Sequence, residues 1–205
     1  MIAVMPEDPF SRHRVTVEEY YRMARVGLLP PEMRVELIEG EVIDMLPVGE
    51  HHQGVVDRLA ERLILAAAKR VTVRQQGPVR FDRYTELQPD FALLKRGEGS
   101  VSPPGAEEVL LLIEVSDSSL RYDRQVKLPL YAQHGIPEVW IIDVAGGAMH
   151  AFDSPMREGY TNRSTISAPG TRAVKAFPEM ELDLRGLLPS LSGIGERITT
   201  TRPEP

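Results

Sequence analysis

Two carboxylates stand within apolar segments of the sequence. Asp90 directly precedes the run FALL at 91–94, and Glu114 interrupts the aliphatic run VLLLIEV at 109–115. An ionised carboxylate that is buried without a partner is costly, so such a residue usually meets a cation, a metal or a proton. If the two segments are neighbouring strands, the carboxylates converge and form an oxygen-ligand site suited to Mg²⁺ or Mn²⁺. The alternative is that one or both point outward or pair with an arginine.

The composition limits the other kinds of chemistry. The chain has 205 residues and no cysteine, so disulfides, thiolate catalysis and cysteine-bound zinc are excluded, and any metal is held by oxygen or imidazole. The net charge of −6 argues against a dedicated nucleic-acid binder. Local charge differs, because the segment 69–83 carries five cations, namely Lys69, Arg70, Arg74, Arg80 and Arg83. This basic run is either a nucleic-acid contact or a solvated strand face.

The domain organisation predicted from the sequence is simple. We expect one domain over residues 15–189, an N-terminal arm at 1–14 and a loose tail at 190–205, because the tail contains few large apolar residues. No apolar run approaches the ~18 residues of a membrane span, and the N-terminus lacks a secretory apolar region. We therefore expect a cytoplasmic protein without a membrane partner.

The elements that must position the two acids can be predicted from periodicity and caps. A capping box at Thr16 and Glu19 predicts a helix that ends near Gly27, and the segment 33–45 predicts a hairpin that turns at Glu39-Gly40. The clearest amphipathic helix covers 51–69, and a second helix is predicted within 118–135, with a late start or a kink at Pro129. Strands are predicted at 71–81, 90–95, 109–116 and 138–144, with weaker ones at 147–153, 160–167 and 179–184. This order indicates an α/β fold with a mixed sheet.

The two acids carry a resemblance to a known group of proteins. Pro89-Asp90 followed by IEVSDSS at 113–119 resembles the motif of the PD-(D/E)XK nuclease superfamily. The segments RVELIEGEVIDM, EHHQGVVDRL, LQPDFALL and IEVSDSSLRYDRQVKLPLYAQHGIPEVWIIDV together resemble the Uma-type family of proposed restriction endonucleases, over about residues 15–153 and more weakly to about 190. The resemblance implies a restriction-endonuclease-like fold, in which a mixed four-stranded sheet is flanked by helices.

The resemblance also implies roles for individual residues. Asp90 and Glu114 are expected to bind a divalent metal, with the Val115 carbonyl as a third ligand. The lysine of the superfamily motif, two residues after the glutamate, is replaced by Ser116. The family has a lysine at the position of Lys127, which we expect to act in its place. The alternative for Lys127 is a surface ion pair with Asp123, four residues earlier on the same helix face.

Two further positions match the family. Glu36 lies on the predicted hairpin, and strand alternation places Glu39 on the opposite face, so we expect Glu36 to face the site. His52 opens the long predicted helix, where an imidazole can bind metal or phosphate, and the alternative is that it caps the helix. His51 does not align with the histidine of the family.

The expected function is metal-dependent hydrolysis of DNA. Mg²⁺ or Mn²⁺ would be the cofactor and DNA the substrate, with the basic run, Arg121 and Arg124 contacting the backbone. The resemblance also suggests a homodimer, since cutting both strands takes two sites. Two alternatives remain open, namely a nuclease-fold protein that has a DNA-binding or regulatory role without catalysis, and a structural protein whose acids pair with arginines.

Overall fold

Both helices predicted from the clearest signals are present in the computed structural model, which describes residues 12–45, 47, 49–97, 103–167 and 170–188. Helix α1 (Val17–Arg25) begins with the predicted capping box, in which the Glu19 N–H donates to Thr16 Oγ1 and the Thr16 N–H donates to Glu19 Oε2. Helix α2 (Glu50–Ala67) buries one apolar stripe, formed by Val55, Val56, Leu59, Leu63 and Ala67. The predicted tail at 190–205 and most of the predicted arm lie outside the described residues.

The strands form one large sheet and two smaller ones. The described residues contain twelve strands, namely β1 (Val35–Ile38), β2 (Glu41–Asp44), β3 (Thr72–Gln75), β4 (Val79–Arg80), β5 (Glu86–Leu87), β6 (Phe91–Leu94), β7 (Val109–Ser116), β8 (Glu138–Asp143), β9 (Ala148–Met156), β10 (Gly159–Ile166), β11 (Thr171–Val174) and β12 (Phe177–Asp183). The large sheet has the order β10-β9-β8-β7-β6-β3. Only β7 and β8 run parallel among its neighbours, so the predicted mixed sheet is confirmed, with six strands where the resemblance implies four.

The predicted hairpin is β1–β2, and it belongs to a separate antiparallel sheet. That sheet has the order β2-β1-β5-β4, and its β1–β2 turn lies at Glu39 and Gly40 as predicted. The single strand predicted over 71–81 is divided. Gln76 has a positive φ of 46°, and Gly77 and Pro78 follow it, so the chain leaves the large sheet after β3 and enters the small sheet at β4.

The predicted helix over 118–135 is divided into three short pieces. Segment α3 (Leu120–Tyr122) leads into a π-helix (Asp123–Lys127), and α4 (Leu128–Gln133) follows. Pro129 lies in the first turn of α4, where the missing N–H costs least. Gly135 has a φ of 72°, and the Ile136 N–H donates to the Tyr131 carbonyl in a Schellman closure.

Apolar side chains pack on both faces of the large sheet. On one face, α2 and the β11–β12 hairpin cover residues such as Phe91, Ile113 and Trp140. On the other face, α4 and the small sheet cover Ala92 and Leu112. Alternate residues of β6 and β7 therefore point to opposite layers, which decides where their acids point. No helix in the described part of the chain is long and apolar enough to span a membrane.

Candidate active site

Strand register brings the two predicted acids together. Phe91 pairs with Ile113 in the antiparallel β6–β7 ladder, so one further step of the same register places Asp90 opposite Glu114. Side chains alternate between the two faces of a strand, and each acid is adjacent in sequence to Phe91 or Ile113. Asp90 and Glu114 therefore point to the opposite face, which the small sheet covers. Asp90 is 8% exposed and Glu114 is 3% exposed. Both line one cavity of about 200 Å³.

Asp90 is held by backbone and side-chain donors. Its Oδ2 accepts a hydrogen bond from the Val115 N–H at 2.8 Å and lies 3.2 Å from His52 Nε2. The Gln76 amide is 3.5 Å from Oδ1. The hydrogen bond to Asp90 raises the pKa of His52 above its ordinary value, although burial opposes this shift. Asp90 therefore links strand β7, through Val115, to the first turn of helix α2, through His52.

Glu114 lies deeper and has two side-chain partners. Its Oε1 lies 3.4 Å from Lys127 Nζ and accepts a short hydrogen bond from the Tyr131 hydroxyl. Burial raises the pKa of Glu114 to about 8, and the charge of Lys127 lowers it only in part. A nearby divalent cation would favour the ionised form of such a carboxylate.

Lys127 is buried between two carboxylates. Its Nζ is 3.0 Å from Glu36 Oε1 and 3.4 Å from Glu114 Oε1, and the residue is 3% exposed. Burial alone would lower the pKa of Lys127, but the charges of Glu114 and Glu36 raise it above its usual range, so the amine stays protonated. The surface ion pair with Asp123 is therefore not the arrangement present. Lys127 also lines the cavity, beside Asp90 and Glu114.

Glu36 contacts Lys127 but does not line the cavity in the described structure. It is 1% exposed, and its Oε1 accepts from the Gln88 N–H at 2.8 Å as well as from Lys127. Glu36 is not among the residues that line the cavity in the described structure, so it holds the lysine from the protein side. Glu39, which alternation placed on the opposite face, lies in the hairpin turn with a φ of 49°.

His52 faces the cavity, whereas its neighbour His51 is exposed. Gly49 is the N-cap of α2 and has no side chain to cap it, and the His52 ring contacts Asp90. The capping alternative for His52 does not describe this arrangement. The Nδ1 atom of His52 is buried and has no hydrogen-bond partner.

The basic run does not reach the cavity. Among the lining residues that the structure describes, none comes from 69–83. Arg70 donates to the Ala66 carbonyl, Arg74 to the Pro78 carbonyl and Arg80 to Glu86. Arg121 donates to Gln125 on its own helical segment. These arginines are largely committed to partners within the protein, which favours the alternative of a solvated face for most of the run.

Several residues of the site carry no signal that a sequence pattern could detect. Tyr131 contacts Glu114 from α4, and Tyr122 and Arg34 line the cavity from α3 and from the start of the hairpin. In the sequence, both tyrosines belong to an ordinary helical segment. Their relation to Asp90 and Glu114 depends on how that segment packs on the sheet, and only the fold provides it.

The cavity has the donor chemistry of a divalent metal site. In the described part of the chain, five carboxylates and two permanent cations line it, namely Asp44, Asp90, Glu114, Asp117 and Asp123, with Arg34 and Lys127. This excess of hard, anionic oxygen favours a cation such as Mg²⁺ or Mn²⁺. No group of three or more His, Asp or Glu side chains within the described residues is already arranged to hold a metal. Asp90 and Glu114 are the two strand carboxylates of this lining that could hold such an ion, with water or substrate oxygens completing its shell.

The family follows from the comparison with family models. The model of the Uma2 family, described as "Putative restriction endonuclease", matches residues 17–185. The chain belongs to the Uma2 family. The matched region contains the strands and helices that place Asp90, Glu114 and Lys127.

A solved structure supports the same fold. The crystal structure of a protein from Anabaena variabilis ATCC 29413, described as "a putative nuclease belonging to DUF820", superposes with a TM-score of 0.65 at 16% sequence identity. The match covers 83% of this Uma2 chain and 94% of the Anabaena chain. At this identity the likeness concerns the fold alone, which is the single-domain, restriction-endonuclease-like α/β architecture. No curated protein matches the chain.

Proposed function

We propose that this member of the Uma2 family is a metal-dependent endonuclease that hydrolyses DNA phosphodiester bonds. One observation carries the proposal most directly. Two carboxylates from neighbouring strands and one buried, protonated lysine converge on the same cavity. Two acids and a lysine suit phosphodiester hydrolysis with a bound divalent ion, because they can supply metal ligands and a fixed positive charge. The descriptions of the family model and of the Anabaena protein point to the same reaction class.

The proposed division of labour follows from the contacts. Asp90, Glu114 and the Val115 carbonyl would hold Mg²⁺ or Mn²⁺, which polarises a phosphate and lowers the pKa of a bound water. Lys127 keeps its proton and places a positive charge beside the position where negative charge develops on the phosphate. Glu36 fixes the Lys127 amine through the 3.0 Å contact. His52 is oriented by Asp90 and lines the cavity, and its unpartnered Nδ1 would meet a phosphate oxygen or a water.

The volume of the cavity agrees with a substrate that enters as a phosphate group and not as a whole nucleotide in a closed pocket. A space of about 200 Å³ suits an ion, a few waters and one phosphate group. Phosphodiester recognition of this kind reads the backbone and carries no base specificity. We therefore propose DNA cleavage without naming a sequence, and RNA is assayed separately before the protein is called non-catalytic.

The test is cleavage of supercoiled plasmid with Mg²⁺ or Mn²⁺ by the wild type, Glu114→Gln and the control Glu61→Gln. Glu61 is an exposed glutamate on α2, outside the cavity. We expect nicking by the wild type and by Glu61→Gln, and a loss of about 100-fold or more in Glu114→Gln, the size expected when a metal-held transition state loses ~3 kcal/mol. Equal cleavage by all three proteins would mean a contaminating nuclease and would refute the proposal.

The non-catalytic alternative has one observation in its favour. Ser116 occupies the motif position at which the superfamily has a lysine. If the wild type binds metal and DNA but cleaves neither DNA nor RNA under any metal, the protein is a nuclease-fold binding protein. If the wild type also fails to bind a metal, the remaining alternative is a structural protein without catalysis.

We propose a homodimer because cleavage of both DNA strands requires two sites. One chain carries one Asp90–Glu114 site, and two strands require two cuts. We expect light scattering to give twice the monomer mass at the concentration of the assay. A monomeric mass together with nicking, but no linear product, would assign a single-strand activity.

A further inference from the structure

The hydroxyl of Tyr122 is a buried polar group without a partner. Within the described part of the chain, four buried side-chain polar atoms lack a hydrogen-bond partner, and two of them, His52 Nδ1 and Tyr122 Oη, belong to residues that line the cavity. A buried hydroxyl that makes no hydrogen bond lowers stability, so its presence needs an explanation such as a ligand. Tyr122 directly precedes the π-helix that carries Lys127.

The groups around Tyr122 are already engaged by other donors. Glu36 accepts from Gln88 and Lys127, Asp123 accepts from two serine hydroxyls, and Glu114 accepts from Tyr131 and lies beside Lys127. Burial and the nearby charge of Glu36 raise the pKa of Tyr122 to about 12, so the hydroxyl remains a donor. In the described structure no protein group accepts the Tyr122 proton, which is therefore left for an oxygen that enters the cavity.

We propose that the Tyr122 hydroxyl donates a hydrogen bond to a non-bridging oxygen of the phosphodiester bound in the cavity. This inference rests on the proposed function and adds a substrate contact to it. The incoming phosphate is anionic and offers acceptor oxygens, which the carboxylate-lined cavity otherwise meets with few donors. Tyr122 and Lys127 project from one continuous helical segment, so together they would hold the phosphate from the helix side while the strand carboxylates act from the sheet side.

The decisive variant is Tyr122→Phe, which removes only the oxygen. The matched control is Tyr84→Phe, a tyrosine outside the cavity whose ring is packed by arginines. The readouts are the affinity for a short DNA duplex in Ca²⁺, the single-turnover cleavage rate in Mg²⁺, the Mn²⁺ affinity and the melting temperature. The DNA affinity in Ca²⁺ tests the contact even if no turnover occurs, so failure of the contact and failure of the nuclease function are distinguishable.

We expect Tyr122→Phe to lose about 10- to 100-fold in cleavage rate or DNA affinity, the effect of one hydrogen bond to a charged oxygen. Its Mn²⁺ affinity should be unchanged, and its melting temperature should equal or exceed that of the wild type, because the lost hydroxyl had no partner. Tyr84→Phe should behave as the wild type. The proposal is overturned if Tyr122→Phe binds and cleaves DNA as the wild type does, or if it loses activity only in proportion to a lower melting temperature.

Discussion

Ser116 Oγ donates a hydrogen bond to the Asp123 carboxylate at 2.7 Å, which ties the end of β7 to the start of the π-helix. Ser116 stands where the superfamily motif has a lysine, and Asp123 begins the segment that ends at Lys127. The serine is fully buried, and a second hydroxyl, from Ser119, donates to the same carboxylate at 2.6 Å. The residue that replaces the lysine on the strand thus anchors the helix that supplies one.

This anchor predicts the behaviour of Ser116→Ala. The change removes one donor from a buried carboxylate, and we expect it to lower the free energy of unfolding by about 1 to 3 kcal/mol. The segment that carries Lys127 would keep only the Ser119 hydrogen bond to Asp123, so cleavage should fall by about 10-fold, as for other losses of supporting contacts around a reactive group. Ser164→Ala on the exposed strand β10 is the matched control. A Ser116→Ala protein with wild-type cleavage and stability would show that the bond does not position the lysine.

Removing the lysine charge should separate catalysis from metal binding. Lys127→Met leaves Glu36 and Glu114 without their shared cation, so we expect a loss of stability of about 3 kcal/mol, as when one partner of a buried pair is removed. Cleavage should fall by about 10² to 10³, the usual effect of losing one group that stabilises transition-state charge. Mn²⁺ affinity, measured by calorimetry on the folded fraction, should be retained. A parallel loss of Mn²⁺ binding would make Lys127 a structural residue only.

The raised pKa of Glu114 predicts a pH-dependent response to metal. Its folded-state pKa of about 8 lies above the ordinary value of 4.5, so the stability contributed by the protonated form is complete below that ordinary value and is lost as the pH rises through about 8. A divalent ion binds the ionised form, so the rise in melting temperature caused by Mg²⁺ should grow over the same range. Thermal unfolding with and without Mg²⁺ measures this. Glu114→Gln should remove the pH dependence, and a constant Mg²⁺ effect in the wild type would contradict it.

The fold was predictable where local signals were strong. The capping box at Thr16, the hairpin turn at Gly40 and the stripe of α2 appear as predicted. Strand β4 was predicted only as the end of a single strand over 71–81, and β5 and β11 were not predicted; β4 and β5 have two residues each, too few to produce a periodic pattern. The π-helix also escaped prediction, because its sequence differs little from that of an α-helix and its geometry depends on the buried Asp123 and Lys127 contacts.

The part of the candidate site that could be predicted consists of charged residues that interrupt apolar segments. Asp90 and Glu114 stand out because each adjoins a run of apolar residues, and the structure brings both to the cavity with Lys127 and His52. Tyr131, Tyr122 and Arg34 could not be found, since tyrosine and arginine occur on many helices and loops without any role. The intramolecular partners of Arg70, Arg74 and Arg80 could not be predicted either, because charge along a strand says nothing about which partners its side chains find in the folded chain.

The measurement that tests the proposed metal site most directly is a Mn²⁺ titration of the folded protein. Binding is monitored by calorimetry or by the paramagnetic signal of the ion. Asp90→Asn keeps the size of the side chain and an oxygen for the Val115 N–H, so the fold should persist. The control is Asp57→Asn, an exposed aspartate on α2. We predict that the wild type and Asp57→Asn bind Mn²⁺ and that Asp90→Asn binds it at least about 10-fold more weakly, since a first carboxylate ligand is lost. Equal Mn²⁺ affinity in all three proteins, or no binding by the wild type, would contradict the metal site at Asp90 and Glu114.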